Sequence, residues 1–295
     1  IDNKTDWDKF KKLTYNFEFI STKICPGEKQ ICCYEPISRA FFKLYEIIHN
    51  NKLIERKGID PIKTFHLAEG PGGFMEAIST YRNNNKDKYY GMTLLNNNKN
   101  IPKWNKNNSF FINNKSKIVL FDGPKKDGNL YFKHNLKYLK ENLKNEFDFI
   151  TGDGGFDYST DFNKQEINSI NLIFSEVVYA LFLQKEKGSF VLKVFDIFHK
   201  NKLEILYLLA YFYEKIYIYK PNTSREANSE KYLICIGFKK NKNYEEIINK
   251  IYNSFENLSE NKLVQIFNHN MNIFFLNKMQ DINAIYGQQQ IENIL

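Results

Sequence analysis

The sequence predicts an α/β fold: a mostly parallel sheet with helices on both faces, an antiparallel last strand and a helical C-terminal tail. Three observations carry this expectation. Between residues 36 and 240, short apolar runs of strand length alternate with longer runs of helical period. A glycine-rich turn, "EGPGGF", joins the first of these strands to a helix, as in parallel sheets whose strands are followed by covering helices. The last two strands are separated by a turn-rich linker too short for a helical crossover, which makes that pair antiparallel.

The elements follow in order. Residues 1–35 have a mixed pattern and form an N-terminal extension. "PISRAFFKLYEIIHNNKL" places Ile37, Phe41, Leu44, Ile47 and Ile48 at helical spacing. "TFHLA" is a short buried strand, followed by the glycine loop and a helix through Tyr81. "KYYGMTLL", "SKIVLFDG" and "FDFIT" read as strands, and "QEINSINLIFSEVVYALFLQ" as a long helix. "GSFVLKVF" is a fifth strand, "KLEILYLLAYFY" a helix, and "KIYIY" and "KYLICIGF" close the sheet. Residues 36–240 thus form the main domain, and residues 241–295 a helical extension beginning with "NYEEIINKIYNSFENL". The Asn- and Lys-rich stretches 83–88 and 96–108 read as surface loops, and there is no internal repeat.

Composition bounds the function. Of 295 residues, 42% are hydrophobic and 16% aromatic, enough for a filled core rather than disorder. A net charge of +8 favours polyanionic partners such as nucleic acid, although Lys is simply common here and the abundance of Asn, Ile and Tyr matches the codon bias of an AT-rich genome. Cys25, Cys32, Cys33 and Cys235 form no CxxC pair and have no His at zinc spacing, so no metal is expected. They do not resemble a secreted disulfide framework either, and a reducing compartment is expected. No uninterrupted apolar run reaches about 18 residues and the N-terminus has no signal-peptide pattern. The expected location is cytoplasmic, with no membrane. The chain begins with Ile1 rather than Met, as a trimmed protein or a domain of a longer one would.

Gly70, Gly72 and Gly73 permit positive φ and close backbone approach at the carboxyl end of a strand. Two cofactors use such a corner. A dinucleotide calls for G-x-G-x-x-G and an acid about 20 residues on, but the third glycine position is Met75 and the second strand runs out at Thr93 and Leu94 without an acid. S-adenosylmethionine (SAM) carries no phosphate and suits this compact loop. Further segments bear on the choice. Asp153 lies just past the fourth strand in "DFITGDGGFDYS", Lys193 stands alone in the apolar run "SFVLKVF", and Glu230 precedes the last strand in "KPNTSREANSEKYLIC". A buried lysine is costly unless paired, and strand ends at this edge are where active sites gather. A lone strand lysine facing solvent is the plain alternative.

With these motifs in order over residues 38–238, the sequence resembles the FtsJ-type RNA ribose 2′-O-methyltransferases. "SRAFFKLYEI" is similar to the family's opening helix and places its lysine at Lys43; Asp153, Lys193 and Glu230 match the rest of its Lys-Asp-Lys-Glu tetrad. The resemblance implies a Rossmann-like SAM-dependent methyltransferase fold. "AEGPGGF" and "DGGFD" look more like the mRNA cap-methylating branch, including large DNA virus members, than the ribosomal one. Implied cofactor contacts are Glu69, Gly70, Pro71, Gly72, Gly73, Phe74, Thr93, Asn129, Leu130 and Asp153, with Asp127 a further adenine-side candidate. Thr93 departs from the pattern, since many SAM enzymes carry a ribose-binding acid there. Arg39 and Arg225 are candidate RNA contacts, with plain surface charge as the alternative. Tyr34, Trp104 and Tyr158 are aromatic candidates for stacking on a methylated guanine.

In this reading Lys193 contacts the 2′-oxygen, its pKa lowered by Lys43 and by burial so that it can accept a proton. Asp153 and Glu230 orient the amine and balance the charge, and Lys43 steadies the developing oxyanion. In the alternative role Lys193 stays charged and stabilises the alkoxide. The implied substrate is capped mRNA, and the tail could dock another capping subunit or cover the sheet edge. Rival readings are a ribosomal or transfer RNA 2′-O-methyltransferase and a catalytically dead RNA-binding or capping-complex scaffold.

Overall fold

Seven strands lie in the order β3-β2-β1-β4-β5-β7-β6. They are β1 (Lys63–Leu67), β2 (Lys88–Met92), β3 (Ile118–Phe121), β4 (Phe147–Gly152), β5 (Gln184–Val194), β6 (Tyr213–Tyr219) and β7 (Lys231–Phe238). This is a computed structural model, and it describes all residues except 1–3, 23–29, 97, 99, 100, 144, 145, 156–163, 256, 257, 259–262 and 264. The first five strands pair in parallel, and β7 runs antiparallel between β5 and β6. The antiparallel last strand is therefore an insertion between two neighbours rather than the outer edge.

The central strands are buried on both faces, so β1, β4, β7 and the second half of β5 read as nearly continuous apolar runs, while the edge strands β3 and β6 are more open. Phe149, Val191, Tyr232 and Ile234 face one layer, built on α2 (Ala40–Asn50) and α3 (Gly73–Arg82). Ile150, Phe190, Leu192, Leu233 and Cys235 face the other. That second layer contains α5 (Lys133–Asn142), α6 (Gln165–Leu183), α7 (Lys200–Phe212), α8 (Tyr244–Ser254) and part of α9 (Ile273–Ile294). The alternation is the period-2 geometry of a strand. It puts Lys193, two residues after Val191, on the same face as α2. Helix α6 is long and apolar enough to cross a membrane, but 83% of its apolar window is buried within the protein, as a central core helix.

Three features differ from the sequence reading. Helices α1 (Lys4–Leu13), α4 (Ser109–Asn113) and α5 were not evident in the pattern. Part of the expected N-terminal extension packs on the main domain: Tyr15 is 2% exposed and its hydroxyl donates to the Asn222 carbonyl at 2.6 Å. The stretch 96–108 is not merely a surface loop. Trp104 is buried with Phe110 and Phe111, and Asn105 N donates to Pro71 O at 3.2 Å.

Candidate active site

The site lies where the parallel strands end. Beyond β1, Gly72 has φ of 120°, and a Cβ there would come within 2.8 Å of the Phe111 ring. One at Gly70 would come within 2.3 Å of Pro102 O, and one at Gly73 within 2.2 Å of Ser38 Oγ. The glycines therefore let the Trp104 segment and the start of α2 close on the loop from two sides. Gly70 N donates to Thr93 Oγ1 at 3.3 Å, which ties the loop to the end of β2.

Glu69 governs this corner. Its Oε1 accepts from Met75 N at 2.9 Å, so a carboxylate of the chain itself caps the first turn of α3. Its Oε2 lies 2.6 Å from Nδ1 of the fully buried His66. The carboxylate can only accept, so Nδ1 carries a hydrogen; Nε2 lies 2.9 Å from Thr64 Oγ1. A dinucleotide pyrophosphate would need the helix end that Glu69 occupies. Residues 66–81 also contain no Lys or Arg. Carboxylates of Glu69, Asp127 and Asp153 instead ring the edge, a donor set that fits a cationic sulfonium better than a phosphate.

The loop after β3 completes that side. Gly128 lies so close to β2 that a Cβ on it would be 2.0 Å from Thr93 O. Asp127 Oδ1 accepts from Asn129 N at 2.9 Å and Asn135 Nδ2 at 2.6 Å, while His134 approaches Oδ2 at 3.2 Å. Burial opposes ionisation of Asp127, but these donors outweigh it and lower its pKa. Leu130 is 3% exposed and belongs to the core, so a ligand at this loop would meet its backbone rather than its side chain.

The four tetrad residues come together from four places. Lys43 stands on α2, Asp153 follows β4, Lys193 ends β5 and Glu230 leads into β7. Lys43 Nζ reaches Glu230 Oε1 at 2.8 Å and Oε2 at 3.0 Å. Lys193 Nζ lies 3.1 Å from Asp153 Oδ1 and donates to the Asp153 carbonyl at 2.7 Å. Their side chains are 11–17% exposed, so each keeps partial access to solvent. Two ammoniums and two carboxylates sum to zero charge.

The electrostatics correct one expectation. Burial pushes the Lys193 pKa down, but the carboxylates of Asp153 and Glu230 outweigh it and raise the pKa above its ordinary value. Lys43 does not face Lys193 alone, because Glu230 intervenes. Lys193 is therefore an ammonium at neutral pH, which favours charge stabilisation over proton acceptance. Burial likewise opposes the Glu230 carboxylate, and Lys43 and Lys193 overcome it, holding its pKa at about 2.

Three participants escaped the sequence reading. Tyr232 pairs with Lys193 across β5 and β7. Its hydroxyl lies 3.3 Å from Asp153 Oδ1 and 3.2 Å from Glu230 Oε1, bridging the two carboxylates. Its position two residues after Glu230, on one strand face, was a readable signal. Ser224 Oγ donates to Glu230 Oε1 at 3.0 Å. Glu176, fully buried on α6, accepts from Gly154 N at 2.9 Å, and burial raises its pKa to about 8. No local pattern separates Glu176 from any other polar residue on a long helix.

Arg39 and Arg225 both bind Glu18. Trp104 is buried against the glycine loop and offers no free face for stacking. Tyr34 is 42% exposed, with its hydroxyl donating to Glu76 Oε1 at 2.7 Å. Tyr158 lies outside the described residues.

A two-faced α/β domain with a glycine corner and a charge-neutral Lys-Asp-Lys-Glu cluster at its carboxyl edge is the class defined by this geometry. Residues 36–238 match the model of the FtsJ-like methyltransferase family, and the chain belongs to that family. It is 33% identical over 238 residues to the cap-specific mRNA (nucleoside-2′-O-)-methyltransferase 1 of Drosophila melanogaster, covering 76% of this chain and 29% of that protein. To methyltransferase 2 of the same name and organism it is 30% identical over 221 residues, covering 70% of this chain and 30% of that one. The cap-specific mRNA (nucleoside-2′-O-)-methyltransferase of Autographa californica nuclear polyhedrosis virus is 34% identical over 169 residues, covering 57% of this chain and 62% of the viral protein. The chain thus spans less than a third of the two fly proteins.

Proposed function

We propose that this chain transfers a methyl group from SAM to the ribose 2′-hydroxyl of a cap-proximal nucleotide of mRNA. The observation that carries the reading is the meeting of Lys43, Asp153, Lys193 and Glu230 beside the glycine corner, each lysine within 3.1 Å of a carboxylate oxygen. The cap-specific activity named for the fly and viral relatives supports the choice of substrate.

When bound, SAM supplies a methyl group on a sulfonium, electrophilic without a metal. Backbone of the glycine loop, Thr93 and the Asn129–Leu130 backbone would hold it, with Asp153 on the methyl side. The chain's own residues do the rest. The Lys193 ammonium donates to the 2′-oxygen and orients a lone pair toward the methyl carbon. Glu230 and the Tyr232 hydroxyl keep the ammonium and the Asp153 carboxylate in place. Transfer of that methyl would make the hydroxyl proton strongly acidic, and because Lys193 already holds its own proton, the hydroxyl proton would be lost to solvent. Lys43 adds a second positive charge facing the oxygen as its electron density shifts.

The test is transfer of a labelled methyl to one short RNA carrying a methylated cap, an unmethylated cap or a bare triphosphate. Transfer that requires the cap is expected, with the label on the ribose of the first or second transcribed nucleotide. Equal transfer to all three would refute the cap reading and point to a structured-RNA substrate.

A further inference from the structure

The Lys43–Glu230 pair is not the only bridge between α2 and the linker that joins β6 to β7. A second one runs beside it through Glu18, in a segment that precedes the family match at residue 36. Glu18 is 1% exposed. Its Oε2 accepts from Arg39 Nη1 at 2.8 Å and from Arg225 Nε at 2.9 Å, and its Oε1 accepts from Arg225 Nη2 at 2.9 Å.

The spacing gives this cluster its meaning. Arg39 is the N-cap residue of α2, four residues and about one turn before Lys43. Arg225 lies five residues before Glu230 in the linker. One buried carboxylate therefore grips the same two elements that carry one ion pair of the tetrad. The Glu18 turn is itself held down: Ile31 N and Cys32 N donate to Phe19 O and Ile20 O, both at 3.1 Å. Glu46 anchors the start of the linker, accepting from Asn222 N at 2.7 Å and Thr223 N at 2.9 Å. The stretch that carries Ser224 and Glu230 is held to the N-terminal segment through Arg225.

We propose that Glu18 is a positioning residue of the active site: through Arg39 and Arg225 it sets the distance between α2 and the linker, and so the geometry of the Lys43–Glu230 pair. The segment ahead of the family match is then a working part of the site. This rests on the methyl-transfer reading. The two arginines serve the scaffold rather than forming an RNA-phosphate contact.

The experiment uses the full chain and the variants Glu18→Gln, Arg225→Met and the two combined. Glu18→Gln removes the charge that both guanidiniums share. It should lower kcat about tenfold through misplacement of Glu230, with KM for SAM and for capped RNA unchanged. Arg225→Met should lower kcat by the same factor, and the double variant no further, because both break one bridge. Glu18→Asp, which keeps the charge, should recover most of the activity. If Glu18→Gln does not fold, Arg225→Met, which leaves the Glu18–Arg39 pair intact, carries the same kcat test. Additive losses would overturn the proposal. So would an Arg225→Met variant with raised KM for RNA and unchanged kcat, the signature of a phosphate contact. Hydrogen exchange separates this proposal from the functional reading. If the wild-type chain methylates no RNA, the functional reading fails. The clamp is then judged on amide protection over residues 224–230, which should fall in Glu18→Gln and would refute the clamp if unchanged.

Discussion

Replacing Glu230 by Gln should destabilise the protein in a pH-dependent way set by its two lysines. In the fold its carboxylate contacts Lys43 Nζ at 2.8 Å and receives hydrogen bonds from Ser224 and Tyr232. Glutamine keeps the shape and removes the charge, so the tetrad goes from neutral to a net +1 in a site 11–17% exposed. The pKa of Glu230 falls from 4.5 to about 2 in the fold, which at about 1.4 kcal/mol per unit is about 3 kcal/mol of stability. The folded value lies below the unfolded one. The carboxylate therefore contributes this stability above about pH 4.5 and loses it as the pH falls toward about 2. Urea unfolding followed by circular dichroism should show the variant less stable by about 3 kcal/mol near neutrality and by about 2 kcal/mol at pH 3.5. A difference that is small near neutrality, or independent of pH, would refute the electrostatic account of the pair.

Further expectations follow from the same geometry. Lys193→Ala should abolish methyl transfer while leaving SAM affinity, measured by calorimetry, close to wild type. Because the Lys193 pKa is raised, kcat/KM should show no loss of activity from this residue below about pH 10; a rise in kcat/KM with a midpoint near pH 8, together with an inactive Lys193→Arg variant, would restore the proton-accepting role. Gly72→Val should abolish SAM binding, because the new side chain strikes Phe111 and needs a φ of 120°, and loss of fluorescence from the buried Trp104 environment should accompany it. Glu176 has a folded pKa of about 8, above its unfolded value, so it destabilises the fold progressively as the pH rises from about 4.5 toward 8. Glu176→Gln should therefore be more stable than wild type by about 3 kcal/mol at pH 7, with the gain lost below about pH 4.5; thermal unfolding at pH 7 and pH 4 decides it.

Features legible from the residues alone are local, or run in chain order. Strand β7 was readable residue for residue, and β4 to within its last residue, because a strand buried on both faces is a bounded apolar run. The glycine corner was readable because a turn between strand and helix has its own chemistry. The four tetrad residues were readable only as motifs in order, through likeness to a family, since nothing local ties Lys43 to Glu230 across 187 positions. Helix α5 was missed because its apolar positions are sparse among Lys and Asn, and its burial comes from packing on α6 rather than from its own pattern. The tertiary structure alone decided the charges. The Lys193 pKa depends on Coulomb interactions that fall with distance. Which carboxylates stand near it follows from β7 inserting between β5 and β6. From the sequence, Lys43 was the neighbour that mattered and lowered the pKa; in the fold, Asp153 and Glu230 are nearer partners and raise it. The same holds for Arg39 and Arg225, two cations that read from the sequence as candidate RNA contacts or plain surface charges, until Glu18, 21 positions before Arg39 and 207 before Arg225, is brought between them.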